Sequence, residues 1–286
     1  LIKTARKWAS DTKGEGEHPF VTLVNSFHGR TLTTVTATGQ DTFHKFFGPF
    51  TPGFRYVPAS DLAALERQLD AEDCSAVLVE IVQGEGGVRA LDADYLKAVE
   101  ALCHEKNVLF CVDEVQTGNG RTGTWFAYEQ FGLSPDLVST AKGLGNGLPI
   151  GATLMGSKTA EVLTPGTHGS TFGGNPVACA GALSVLEQID DAFLEAVKQK
   201  GAWLTAELEK IPGVKDVSGL GLMLGFSVEG CKSADIKAKA LDNGLVVLTA
   251  KDRVRLLPPL AITEEELSDG LLRLAAAIRE VQEAAH

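Results

Sequence analysis

The sequence predicts an α/β protein: a mostly parallel sheet with helices on both faces, followed by a smaller α/β domain. Three observations carry that expectation. Two apolar runs, 76-AVLVEIV-82 and 108-VLFCVDEV-115, read as strands buried on both faces. Stretches with helical spacing stand before, between and after them, so helix and strand signals alternate as in βαβ units. After Pro212-Gly213 the pattern changes to short strands around one helix, closed by a last helix.

Taken in order, LIKTARKWA at Leu1–Ala9 already reads as helix. It has neither Met nor a cap, so a longer protein is expected to precede it. The strand 20-FVTLVN-25 follows. Ser60 is expected to cap a helix carrying Leu62, Leu65 and Leu69 on one face. Asp92 starts another, with Leu96, Val99 and Cys103 on its stripe, and Asn107 ends it. Strands are expected at 136-DLVST-140 and 150-IGATLMG-156. Asn175-Pro176 reads as an N-cap and first-turn proline. Further helices cover about 191–210 and 233–243, with strands at 220–228, 245–249 and 253–257. Thr263 and Glu266 form a capping box. The domains are placed at 1–190 and 191–286.

The bulk numbers exclude more than they identify. The chain has 286 residues, 44% hydrophobic and 22% charged, with a net charge of −11. That acidity argues against nucleic acid or an anionic membrane as partner. No apolar run approaches the ~18 residues needed to cross a bilayer. The five cysteines, Cys74, Cys103, Cys111, Cys179 and Cys231, are scattered, with no CxxC pair and no Cys/His cluster for a metal. They read as free thiols of a cytoplasmic protein.

In doubly wound sheets, ligands sit at the carboxyl ends of strands, and several polar residues fall there. Asp113 ends the run VLFCV, with Gln116 three residues on; it either caps the next turn or is a buried carboxylate that needs a cation. Lys142 in 139-STAKGLGNG-147 has its glycines after it, not before, which argues against a Walker-type phosphate loop. It is either a surface charge or an amine able to attack a carbonyl. In 168-HGSTFGGNP-176, Ser170 and Thr171 precede a helix start and suit a phosphate, or simply make a glycine turn. In 26-SFHGRT-31, His28 reads as structural, while Arg30 can take a carboxylate bidentately. Glu80 and Glu85 lie in 80-EIVQGEGG-87. Arg255 in 253-RVRLLPPL-260 faces a site or covers apolar surface with its stem. Lys142 lies 29 residues after Asp113, and Thr171 lies 29 after Lys142, so acid, lysine and hydroxyl recur on successive units.

In the motifs NSFHGRT, VQGEGGV, VDEVQTGNGRTG, STAKGLGNGLPIGA, HGSTFGGNPVACA and RLLPPL, and along essentially its whole length, the chain resembles the class III aminotransferases of fold type I. The resemblance implies pyridoxal 5′-phosphate (PLP) as cofactor and a homodimer with shared active sites. It implies that Lys142 joins covalently to the cofactor and later shuttles the proton. Asp113 would pair with the pyridine nitrogen, Gln116 with the ring hydroxyl, and Phe27 would stack on the ring. Thr171, with Ser170, would reach the phosphate held by the neighbouring subunit. Arg30 and Arg255 would bind substrate carboxylates, with Glu85 as a switch that covers Arg255. The implied reaction moves the δ-amino group of N-acetylornithine to 2-oxoglutarate. Succinylornithine, ornithine, 4-aminobutyrate and diaminopimelate-pathway donors remain alternatives within the class. Two departures stand out: Ile81 replaces a proline common after the strand glutamate, and the helix start that cups the phosphate would lie before Leu1. Two readings of other kinds are a PLP-fold fragment without activity and a nucleotide-binding module. The second lacks a glycine fingerprint after its first strand.

Overall fold

The computed structural model describes residues 1–70 and 73–284. In chain order the elements are α1 (Ile2–Lys13), β1 (Phe20–Leu23), α2 (Leu32–Ala37), α3 (Asp41–His44), β2 (Phe54–Val57), α4 (Leu62–Leu69), β3 (Ala76–Val79), β4 (Val82–Gln83), β5 (Arg89–Ala90), α5 (Ala93–Glu105) and β6 (Leu109–Asp113). They continue with β7 (Leu137–Thr140), β8 (Ala152–Met155), α6 (Pro176–Gln188), α7 (Asp191–Leu208), β9 (Val214–Leu220), β10 (Met223–Val228), α8 (Ser233–Asp242), β11 (Leu248–Ala250), β12 (Arg253–Leu256) and α9 (Glu264–Ala284).

The chain forms two units. The first comprises 1–81, 91–119 and 126–188, and its six-stranded sheet has the order β2-β1-β3-β6-β7-β8. All pairs are parallel except β7 with β8. Every residue of β1, β3 and β6 is buried, which is why these strands read as unbroken apolar runs. Helix α1 lays Ala5, Trp8 and Ala9 against Phe20, Ala76, Leu78, Leu109 and Cys111. Strand β2 escaped the sequence reading because it is an edge strand with mixed burial and carries Arg55 and Tyr56. The register sets the carboxyl ends level: Val79 pairs with Val112, and Asp113 with Ser139.

Local caps follow the expectations with one correction. Asp92 accepts from the Asp94 and Tyr95 N–H groups, and Asn107 closes α5 in the left-handed region at φ 48°. Asn175 accepts from Val177 and Ala178 at the start of α6. Helix α4, however, is capped by Asp61, whose Oδ1 accepts from the Ala64 N–H at 2.8 Å. Ser60 instead takes the left-handed turn that leads into it, at φ 66°.

The second unit comprises 82–90, 120–125 and the chain from Ile189 onward. Its antiparallel sheet has the order β11-β12-β10-β9. Leu224, Phe226 and Val254 on one face pack with Val197 and Leu204 of α7 and with Leu274 and Ile278 of α9. Thr263 and Glu266 exchange hydrogen bonds as a capping box ahead of α9. A single boundary at 190 does not describe this unit, because two earlier segments belong to it. Arg121 donates to the Leu222 and Pro258 carbonyls, and its own carbonyl accepts from Leu222. Ser218 Oγ donates to the Val88 carbonyl at 2.6 Å. Among the described residues no helix is long and apolar enough to cross a membrane.

One buried acid ties the end of β6 to the turn that follows. Glu114 is fully buried, its N–H donates to the Ser139 carbonyl, and its carboxylate accepts from Thr117 Oγ1 and the Tyr128 N–H. Burial pushes its pKa up to about 7, against the opposing effect of those hydrogen bonds. Between the ordinary value of 4.5 and about 7, the folded chain holds a proton that the unfolded chain has released. Its contribution is therefore full below pH 4.5 and is lost as pH rises toward 7, by about 3 kcal/mol in all. Glu114→Gln should flatten the fall in urea midpoint across that window. An unchanged slope would show that Glu114 does not set it.

Candidate active site

The carboxyl ends of β1, β6 and β7 carry three of the sequence motifs in the first unit, and Glu80 follows β3. Asp113 closes β6 with its side chain 9% exposed. Its Oδ1 accepts from the Val115 N–H at 3.1 Å, and its Oδ2 meets His28 Nδ1 at 2.8 Å. The His28 side chain is 2% exposed. Burial opposes a charge on His28, but the hydrogen bond and charge of Asp113, with the charge of Glu80, outweigh it and raise its pKa. His28 thus belongs to the site, although the sequence reading set it aside as structural. No local feature of the sequence marks it; the fold brings it to Asp113, 85 residues away.

The loop that carries His28 is pinned at several atoms. The Phe27 N–H donates to Glu80 Oε1 at 2.8 Å, and the His28 N–H to Thr38 Oγ1 at 2.9 Å. Ser26 Oγ accepts from Gly39, and Gln40 Nε2 donates to the Asn25 and Ser26 carbonyls. Glu80 therefore works inside its strand end as an anchor for Phe27. The Phe27 ring meets Phe43 edge to face at 5.2 Å, and the exposed Arg30 lays its guanidinium 4.4 Å from the Phe43 ring centre and 5.4 Å from that of Phe27.

Lys142 follows β7 in a single turn of 3-10 helix, Lys142–Leu144, with a left-handed backbone at φ 46°. Such a conformation is uncommon for a side chain of this size and needs local support. Asn119 supplies it: its buried Nδ2 donates to Thr140 Oγ1 at 2.9 Å and to the Ala141 carbonyl at 3.2 Å. Gln116 is half-buried on the turn after Glu114. Ser170 and Thr171 lie on an exposed turn ahead of α6.

A cavity of about 590 Å³ opens in this unit, with His28, Asp113, Ser139, Thr153 and His168 in its wall. That volume suits a small organic cofactor. The wall presents what a protonated aromatic nitrogen needs, a carboxylate acceptor held by an imidazole. His28 Nε2 is buried with no hydrogen-bond partner among the described residues. The donor set fits PLP: an acid for the ring nitrogen, a lysine amine at the next strand end, and an aromatic ring on the neighbouring loop. Phe27, Gln116, Lys142, Ser170 and Thr171 do not line this cavity.

In the second unit, Arg255 Nη1 donates to Glu85 Oε1 at 2.7 Å, with the two side chains 9% and 28% exposed. Arg255 Nε is buried without a hydrogen-bond partner among the described residues. The switch acid and the arginine it was expected to cover are therefore in contact.

Comparison with known proteins agrees with this chemistry. Residues 1–278 match the family described as Aminotransferase class-III. The acetylornithine aminotransferase of Haemophilus ducreyi is 50% identical over 281 residues, covering 98% of this chain and 72% of that protein. That of Bacillus subtilis is 46% identical, covering 97% and 71%. The ornithine aminotransferase of Toxoplasma gondii superposes with a TM-score of 0.91 at 37% identity, over 99% of this chain and 70% of that one. The N-acetylornithine aminotransferase of Stenotrophomonas maltophilia gives 0.84 at 36% identity, over 99% and 72%. With a buried carboxylate in the wall of a cavity at the strand ends and residues 1–278 matching the family, this chain belongs to the class III aminotransferases, enzymes that use PLP.

Proposed function

We propose that the protein moves the δ-amino group of N-acetylornithine to 2-oxoglutarate, giving N-acetylglutamate semialdehyde and glutamate, as a cytoplasmic step of arginine biosynthesis. The observation that carries this reading is the Glu85–Arg255 ion pair. An enzyme with these two half-reactions must accept a donor whose reacting carbon carries no carboxylate and then a dicarboxylate whose reacting carbon does. An acid that holds the arginine in the first case, and releases it to a carboxylate in the second, meets both demands. Arg30 takes the second carboxylate. The acetylornithine aminotransferases that match along nearly the whole chain support the donor class. The likeness to ornithine aminotransferase supports ornithine as the second candidate donor.

PLP, when bound, supplies the electron sink that lets the donor carbon lose its proton. The residues of the chain divide the remaining work. Asp113, itself oriented by His28, would accept a hydrogen bond from the ring nitrogen. Phe27 would cover the ring face, and Gln116 would meet the ring hydroxyl. Lys142 Nζ would take the proton from the carbon that bears the amino group. Ser170 and Thr171 would meet the phosphate held by a second copy of the chain. A homodimer is supported by the apolar side chains that the first unit leaves in water, with Phe46 98% and Phe172 85% exposed, and Leu32, Phe47, Val177 and Leu183 also out. The five cysteines are free, which suits a cytoplasmic site.

Three experiments check the chemistry. Lys142→Ala should abolish turnover, by about a millionfold when a residue acts as the essential base, and leave circular dichroism unchanged. Borohydride reduction of the PLP-loaded protein should label the peptide carrying Lys142. A fully active Lys142→Ala enzyme would end the reading. In single-turnover assays, Glu85→Ala should slow the N-acetylornithine half-reaction about tenfold or more relative to the glutamate half-reaction, and equal losses would count against the switch. The dimer is checked by sedimentation equilibrium. The expected mass is twice the 30.2 kDa chain, and Phe172→Asp should lower it toward the monomer.

A further inference from the structure

The turn that presents Glu85 is held in an unfavourable shape. Gly87 has φ 105°, and Val88, a β-branched residue, sits in the left-handed region at φ 54° with its side chain fully buried. Such a conformation persists only where its surroundings over-determine it. Three contacts do so. The Val88 N–H donates to the Gly84 carbonyl at 3.3 Å, and its carbonyl accepts from Ser218 Oγ at 2.6 Å. Its side chain fills the space over Gly225, where a Cβ would come within 2.7 Å of Val88 Cβ.

One buried side chain touches most of these anchors. Arg253 is 1% exposed. Its Nη2 donates to Ser218 Oγ at 2.8 Å, to the Gly225 carbonyl at 2.5 Å, and to the Asp216 carbonyl. Its stem lies against Gly87, where an added Cβ would meet Cδ at 3.2 Å. Ser218, Gly225 and Arg255 form one row across β9, β10 and β12, and Arg253 is two residues along from Arg255 on the same face. Its Nε and Nη1 are buried without hydrogen-bond partners among the described residues. A buried guanidinium that gives its bonds to carbonyls and a hydroxyl is a poor choice for stability alone, since an apolar side chain of like volume avoids the desolvation.

We propose that Arg253 is a positioning residue for the substrate switch: it clamps the 84–88 turn, through Ser218, Gly225 and Gly87, in the conformation that offers Glu85 to Arg255. The proposal rests on the reading of Glu85 and Arg255 given above. Arg253 touches no substrate. It sets how often Glu85 stands where it can cover Arg255, and so sets the balance between the two half-reactions.

The test uses the PLP-loaded enzyme and single-turnover measurement of both half-reactions, with N-acetylornithine and with glutamate. Arg253→Gln should shift the ratio of the two kcat/KM values about tenfold, in the same direction as Glu85→Ala. Ser218→Ala, a milder change for the case in which the buried arginine is needed for folding, should shift it the same way by about threefold. Arg253→Lys, which keeps a cation with three donors, should restore most of the ratio. In a Glu85→Ala background, Arg253→Gln should add nothing, because the two act through one contact. Equal loss in both half-reactions, or a shift that persists without Glu85, would overturn the proposal. Should Glu85→Ala itself leave the ratio untouched, the switch reading fails on its own. Hydrogen exchange of the 84–88 amides then decides for Arg253: faster exchange in Arg253→Gln and Ser218→Ala supports the clamp, and unchanged exchange overturns it.

Discussion

A carboxylate taken almost out of water at the end of a doubly buried strand governs the first unit. Asp113 cannot hold its charge there alone, since an unpaired buried ion is far too costly. It is met by His28 on one oxygen and by a backbone N–H on the other. His28 comes from a loop after β1, so that loop must be fixed, and Glu80, Thr38 and Gln40 fix it. The parallel register then brings the ends of β3, β6 and β7 level. Placing one acid thus organises the loops on three neighbouring strands. The same pairing leaves the acid able to accept one more donor, which is the chemistry a pyridine nitrogen needs.

The sheet of the second unit serves different purposes on its two faces. Leu224, Phe226 and Val254 build a core with α7 and α9. Ser218, Gly225, Arg253 and Arg255 on the other face hold the 82–90 segment and carry the ion pair with Glu85. Alternation along β12 does this in four residues, with Val254 buried among hydrophobics and the flanking arginines turned the other way. Packing and recognition are thereby separated by nothing more than the pleat.

Much of this was legible in the residues. The buried runs around Glu80 and Asp113, the cap at Asp92 and the box at Thr263 and Glu266 each have a local physical signature, and each is present. Family resemblance named Glu85 and Arg255 as a pair, and they are in contact. What could not be read depends on contacts far apart in sequence. His28 has no local feature that distinguishes a structural imidazole from one bound to Asp113, 85 residues away. The edge strand β2 carries no continuous apolar run because only one of its flanks is covered. Ser60 and Asp61 are both competent caps, and the choice between them turns on which backbone takes the left-handed turn. Arg253 drew no reading from the sequence, and only the fold shows it buried and bonded to β9 and β10.

The segments 82–90 and 120–125 leave the first unit, pack with the second, and return, so the chain crosses from unit to unit five times. Neither unit is therefore a cassette that recombination could lift out with a single cut. A fragment from 189 onward would lack the Arg121 tethers, the Val88 plug and the acid that answers Arg255. Exchange of the second unit among relatives must carry three stretches of sequence at once, which binds residues 85 and 255 into one inherited block despite the 170 residues that separate them.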